Sequence, residues 1–174
     1  MAVPHPPKAF EGTQSLTEPA IHVSLTYSPL DATATLARVK SPKAGAVVLF
    51  AGCTRDSFAA TPVTHLAYST YPPLALRTLL AIARDVRASH NLVAIAVTHR
   101  LGRVDVGEES VLIAVSAAHR KAAWEGGERC LEEVKGRVEI WKEEWFEGGG
   151  GGGGIGVGGG GLLLGGGRGG MMSG

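Results

Sequence analysis

Two amines in the stretch LEEVKGRVEIWKEEW are the residues best placed to do chemistry. Lys135 closes a helical pattern and Lys142 falls on the strand pattern that follows, an arrangement able to aim both side chains into one pocket. Along that strand Val138, Ile140 and Lys142 share one face, and Glu139, Trp141 and Glu143 share the other, because successive side chains alternate. Lys142 therefore continues an apolar stripe, and a half-buried amine is a candidate proton acceptor or nucleophile. The plainer alternative is that Lys135 faces the helix dipole from its last turn while Lys142 is an exposed strand-end charge.

Three other cation-bearing turns each follow an apolar, strand-like run: GCTR with Arg55, THRLG with His99 and Arg100, and SAAHR with His119 and Arg120. A guanidinium at a turn can grip a phosphate through two parallel hydrogen bonds, which makes Arg55 a candidate ligand-binding residue; a surface arginine is the alternative. His119 and Arg120 stand where a strand hands over to a helix, so a helix N-terminus and two cations together can hold an anion. His99 and Arg100 read more simply as turn residues that satisfy backbone carbonyls. Cys53 lies near these cations, but no histidine and acid follow in a nucleophile's order, and it reads as a small apolar filler. No GxSxG, phosphate-loop, HExxH or dinucleotide motif occurs, which removes the main support for covalent hydrolases and nucleotide enzymes.

The elements that must position these residues alternate along the chain. Ile21 to Tyr27 reads as a strand, and Ser28-Pro29-Leu30-Asp31 as an N-cap with proline at the first helical position, opening a short helix to about Lys40. GAVVLFAG (45–52) is a buried strand, residues 53–62 a polar loop, and Val63 to Thr70 a second strand. Pro72 opens a long helix to about His90, with a broad face of Leu74, Leu76, Leu79, Leu80, Ile82, Ala83 and Val86. LVAIAVT (92–98) and SVLIAVS (110–116) are near-continuous apolar runs, predicted to be strands covered on both faces. A helix from about His119 to Lys135 ends with Gly136 as the residue just past it, and Arg137 to Phe146 is the last strand. The order predicts an α+β fold with a mixed sheet and a hairpin-like pairing on each side of the long helix.

Composition limits the rest. The 174 residues are 44% hydrophobic, enough for one domain with a true core. Lys plus Arg number 17 against 16 Asp plus Glu, so neither nucleic acid nor a membrane surface is an expected partner. Cys53 and Cys130 form no zinc motif and no disulfide framework, which predicts a reducing compartment and no metal or other cofactor. With no apolar leader and no apolar run near the ~20 residues of a membrane span, a cytoplasmic location (the cytosol) is expected. Residues 1–19, with four prolines, are expected to be a disordered lead, and 20–147 the folded domain. Residues 148–174 hold 18 of the 26 glycines and are expected to be a disordered tail, since so few side chains cannot offset the ordering entropy. The lone Arg168 in GGRGG offers almost no phosphate neutralisation.

Taken together, GAVVLFAGCTR, the segment YSTYPPLA (Tyr68, Tyr71, Pro72), THRLGRVDVGE, VSAAHRKAAW and KGRVEIWKEEW, in that order and spacing, resemble the large, catalytic subunit of molybdopterin synthase from about His22 to Phe146. The resemblance implies an α/β-hammerhead-like domain with an added β subdomain. It implies sulfur transfer from the C-terminal Gly-Gly thiocarboxylate of a small ubiquitin-like carrier subunit to cyclic pyranopterin monophosphate, forming the molybdopterin dithiolene. It further implies a heterotetramer, a homodimer of large subunits with one carrier at each end. Lys135 and Lys142 match the family's two essential lysines, with Lys135 nearest the carrier's terminal glycine. Arg55, His119 and Arg120 match residues that bind the pterin phosphate, the last two across the dimer interface. Two features depart from the family pattern: Glu139 stands where proline is usual, and polyglycine follows Phe146 where a charged segment is usual. The alternatives are a non-catalytic subunit that binds the carrier, or an unrelated module that binds a phosphorylated ligand.

Overall fold

The computed structural model describes residues 8–147. Their elements, in chain order, are β1 (Thr13–Glu18), β2 (Ile21–Thr26), α1 (Ala32–Ala37), β3 (Ala46–Cys53), β4 (Ser57–Phe58), β5 (Thr61–Thr70), α2 (Pro72–Ser89), β6 (Ala94–Arg100), β7 (Gly102–Asp105), β8 (Glu109–Ala117), α3 (Arg120–Arg137) and β9 (Ile140–Phe146). Expectations for residues 1–7 and for the glycine-rich tail lie outside the described residues.

The two most apolar runs become β6 and β8 and lie at the centre of a five-stranded sheet ordered β1-β2-β6-β8-β3. The sheet is mixed: β2 and β6 are parallel, and the other neighbours are antiparallel. Both faces are covered, which is why these strands carry so few polar residues. On one side α2 and α3 pack over Val23, Leu25, Ile95, Val97, Ile113 and Val115; on the other, Val39 closes over Ala94, Ala96 and Ala114. Prolines at its first positions start α2, where a missing N–H costs nothing. On α3, Ala123, Gly126, Gly127, Cys130 and Val134 are buried. At Gly126 a Cβ would come within 2.8 Å of Leu92 Cδ2, so any larger residue there would have to displace that leucine.

A second, smaller sheet is built around β5, which pairs with β7 along one edge and β9 along the other, β4 joining its start. The α+β class, the mixed sheet and the added β unit thus agree with expectation, and β6 and β8 pair as foreseen. The other expected hairpin does not form. Instead of pairing with β5, β3 pairs with β8, and β5 leaves for the second sheet. Nor is β3 the buried strand expected: it lies at the sheet's edge with its residues half-buried or exposed, because an apolar run of strand length reports neither its partner nor its place in the sheet.

Other boundaries shift for identifiable reasons. Thr13–Glu18, expected to be part of the unstructured lead, pairs with β2 through alternating half-buried positions. α1 begins at Ala32 with Asp31 as its cap, Asp31 Oδ1 accepting from the Ala34 N–H at 2.9 Å, so the carboxylate takes the capping role assigned to Ser28. The loop at 53–62 contains β4, and β7 is too short and too polar to stand out. α3 runs on to Arg137 and places Gly136 inside its last turn rather than beyond its end.

Candidate active site

Lys135 and Lys142 reach the site from different layers. Lys135 sits in the last turn of α3, whose buried stripe lies on the larger sheet, while Lys142 sits on β9 in the smaller one. The crossing is tight: Val138 N–H donates to the Val134 carbonyl at 3.2 Å, and Ile140 N–H to the Val138 carbonyl at 2.9 Å. Register then sets Lys142 opposite Tyr68 of β5. Lys142 Nζ lies 2.8 Å from Glu144 Oε1, an acid two residues along the same strand face and itself buried.

The two amines separate a pair of cavities. One, about 360 Å³, is walled by Val111, Leu131, Val134, Val138 and Ile140, with Tyr68, His99 and Ser110 as its polar groups besides the lysines. The other, about 400 Å³, extends along the end of β3 and holds Arg55, Cys53, Ser57 and Glu144. Tyr68, Ser110, Val111, Lys135 and Lys142 line both. Such a place suits an anionic reactant that approaches through an apolar channel and meets fixed positive charge at its end.

His99 is buried, and its Nδ1–H donates to the Arg100 carbonyl at 2.7 Å. Burial outweighs that hydrogen bond and pushes its pKa down to about 4, so the imidazole is neutral near pH 7. Its ring meets Tyr68 edge-on, with centroids 5.0 Å apart. Burial raises the Tyr68 phenol above its ordinary range, against the opposing effects of a Ser110 hydrogen bond and the Lys142 charge. Arg100 is also buried and pairs with Glu108 at 2.9 Å, which makes it structural.

Arg55, Lys135 and Lys142 are therefore brought together. His119 and Arg120 are not: they open α3, and at ~1.5 Å per residue Arg120 lies roughly 22 Å along the helix from Lys135. Cys53 is exposed at the second cavity rather than acting as filler, whereas Cys130 is buried, its thiol pushed up to about 12. Ser110 and Glu144 were not singled out from sequence, and Tyr68 had no role assigned. Glu144 carried a usable signal, its i+2 spacing from Lys142; Tyr68 and Ser110 meet only through tertiary pairing.

Two amines at the junction of an apolar and a cation-bearing cavity, on a mixed sheet with an appended β unit, define a cationic site able to hold an anion. The sequence profile of the family described as MoaE protein matches residues 25–137, and the chain belongs to that family. Similar proteins include the molybdopterin synthase catalytic subunits of Neurospora crassa, 54% identical over 76% of this chain and 65% of that protein, and of Coccidioides immitis, 55% identical over 82% and 72%. The chain thus spans about two thirds of the Neurospora relative's length. Among solved structures, the molybdopterin synthase of Staphylococcus aureus superposes with a TM-score of 0.69 at 30% identity, covering 72% of this chain and 91% of that one.

Proposed function

We propose that this chain is the catalytic subunit of a molybdopterin synthase, taking sulfur from the C-terminal thiocarboxylate of a small ubiquitin-like carrier and placing it on cyclic pyranopterin monophosphate. The observation that carries this reading is that Lys135 and Lys142 both border the apolar cavity and the Arg55 cavity. An extended Gly-Gly end has no side chains and suits the apolar channel; a phosphorylated pterin suits the side that holds a guanidinium. Because the carrier brings the nucleophilic sulfur, this subunit supplies orientation and positive charge rather than a nucleophile of its own. Lys135 meets the carrier's terminal group, Lys142 the reacting pterin, and Arg55 its phosphate.

The relatives' name, catalytic subunit, implies a second subunit. We infer a homodimer of this chain with a carrier at each end, working in the cytosol, with His119 and Arg120 of one protomer completing the phosphate site of the other. That arrangement accounts for two cations that lie far from the lysines of their own chain.

The test is reconstitution of the purified chain with thiocarboxylated carrier and pyranopterin precursor, followed for dithiolene product. Wild type is expected to turn over, and Lys135→Ala to lose nearly all turnover at an unchanged melting temperature, because Lys135 is exposed and contributes little to stability. Carrier binding without product in the wild type would identify a non-catalytic subunit instead. Full turnover by a folded Lys135→Ala chain would overturn the assignment of the lysine.

A further inference from the structure

We propose that Tyr68 is a further catalytic residue, its phenol donating a hydrogen bond to the acyl oxygen of the carrier's terminal group where the two cavities meet. This rests on the sulfur-transfer reading above. Tyr68 occupies the central strand of the smaller sheet, directly across from Lys142. Side chains so paired have Cβ atoms ~4.5–5.5 Å apart, close enough for the phenol and the amine to address one ligand. Of the five residues that line both cavities, Tyr68, Ser110 and the two lysines carry polar side chains.

The surroundings fix the phenol as a donor. Its ring is wedged edge-on to His99, at an interplanar angle of 73°. Ser110 lines the same cavity walls as the phenol, and its hydroxyl donates to the Gly52 carbonyl at 3.2 Å. With the serine hydrogen committed to Gly52, a bond between the two hydroxyls is donated by the phenol, and a bound acyl oxygen replaces the serine as the acceptor of that proton. Since burial raises its pKa, Tyr68 keeps that proton throughout the neutral range.

The chemistry needs such a donor. Once the carrier's sulfur has replaced an oxygen on a pterin carbon, that oxygen leaving as water with a proton from solvent, the carrier end is a thioester. Its release requires water to add to the acyl carbon and the acyl C–S bond to break with its electron pair left on sulfur. The products are a carrier carboxylate, a pterin thiolate and two protons passed to solvent. Negative charge grows on the acyl oxygen in the tetrahedral adduct, and a fixed hydrogen-bond donor there lowers the barrier.

The test compares wild type with Tyr68→Phe in the reconstituted assembly. We expect kcat to fall by about tenfold to hundredfold, within reach of a lost oxyanion donor, with KM for carrier and precursor and the melting temperature unchanged. A covalent carrier–pterin adduct should accumulate and be visible by mass spectrometry. Wild-type kcat in the variant, or a loss confined to KM, overturns the role of Tyr68 while leaving sulfur transfer intact. Absence of product from the wild type overturns the functional reading itself. Should the phenylalanine variant fail to fold, fluorotyrosines at position 68 keep ring and hydroxyl: a rate that tracks phenol acidity supports the donor, and an unchanged rate refutes it.

Discussion

Lys142 Nζ and Glu144 Oε1 stand 2.8 Å apart on one face of β9, with the carboxylate side chain only 7% exposed and the lysine 30% exposed. A carboxylate this buried requires a partner charge, so the pair fixes where the amine sits. Glu144→Gln keeps the shape and removes the charge. It is expected to lower kcat several-fold by freeing the amine, and to cost about 1 kcal/mol or less in stability because the lysine still reaches water. Steady-state rates and thermal melts on the same preparation check both parts; an unchanged kcat would separate Glu144 from the chemistry.

Arg120 and Lys135 lie at opposite ends of α3, too far apart to serve one substrate within a protomer. Mixing inactive Lys135→Ala chains with inactive Arg120→Ala chains is expected to restore part of the activity after subunit exchange, because one of the two composite sites in a heterodimer then carries both residues. No recovery after exchange verified by native mass spectrometry would remove Arg120 from the site.

Gly136 lies in a helical turn with nothing within 4 Å of where a Cβ would stand. Gly136→Ala is expected to stabilise the fold by about 0.5–1 kcal/mol through reduced backbone freedom of the unfolded chain. For a domain of this size that raises Tm by about 1–4 °C. Gly126→Ala meets Leu92 and is expected to show no such gain.

The His99 imidazole titrates near 6.5 when free and about 4 when folded, its burial dominating. Between those values the unfolded chain binds more protons, so unfolding free energy rises with pH across this window. The stabilisation is complete above about pH 6.5 and is lost as pH falls toward 4, by roughly 3 kcal/mol. His22, lowered by burial and by Arg38, acts in the same direction. Denaturant titrations from pH 4 to 7 should show this slope in wild type and a shallower one in His99→Gln; equal slopes would assign it elsewhere.

Periodicity exposed the parts of this fold that local forces settle. The apolar runs around Ile95 and Ile113 had to be covered strands, and the face through Leu76, Leu79 and Ile82 had to be a buried helix. Pairing was not legible, because Val48 and Phe50 would fit any covered strand and nothing local tells β3 to choose β8 over β5. Gly136 misled for a related reason: glycine marks a helix end only when its φ is positive, and here it is not among the positive-φ residues. At the site, Lys135, Lys142 and Arg55 were visible as cations at element ends. Tyr68 and Ser110 were not, since their roles come from contact between strands far apart in sequence.

The short crossing from Val138 to Ile140 carries a consequence for how this gene can change length. Adding or deleting one residue there would turn β9 over against β5, sending Lys142 to the side now held by Trp141 and bringing a neighbour into its place. A change of two would keep the amine on its face but carry it about 7 Å along the strand, past Tyr68. The interval between the two lysines is therefore a ruler with both a parity and a length, and a lineage that keeps both amines at the junction has no freedom to edit it.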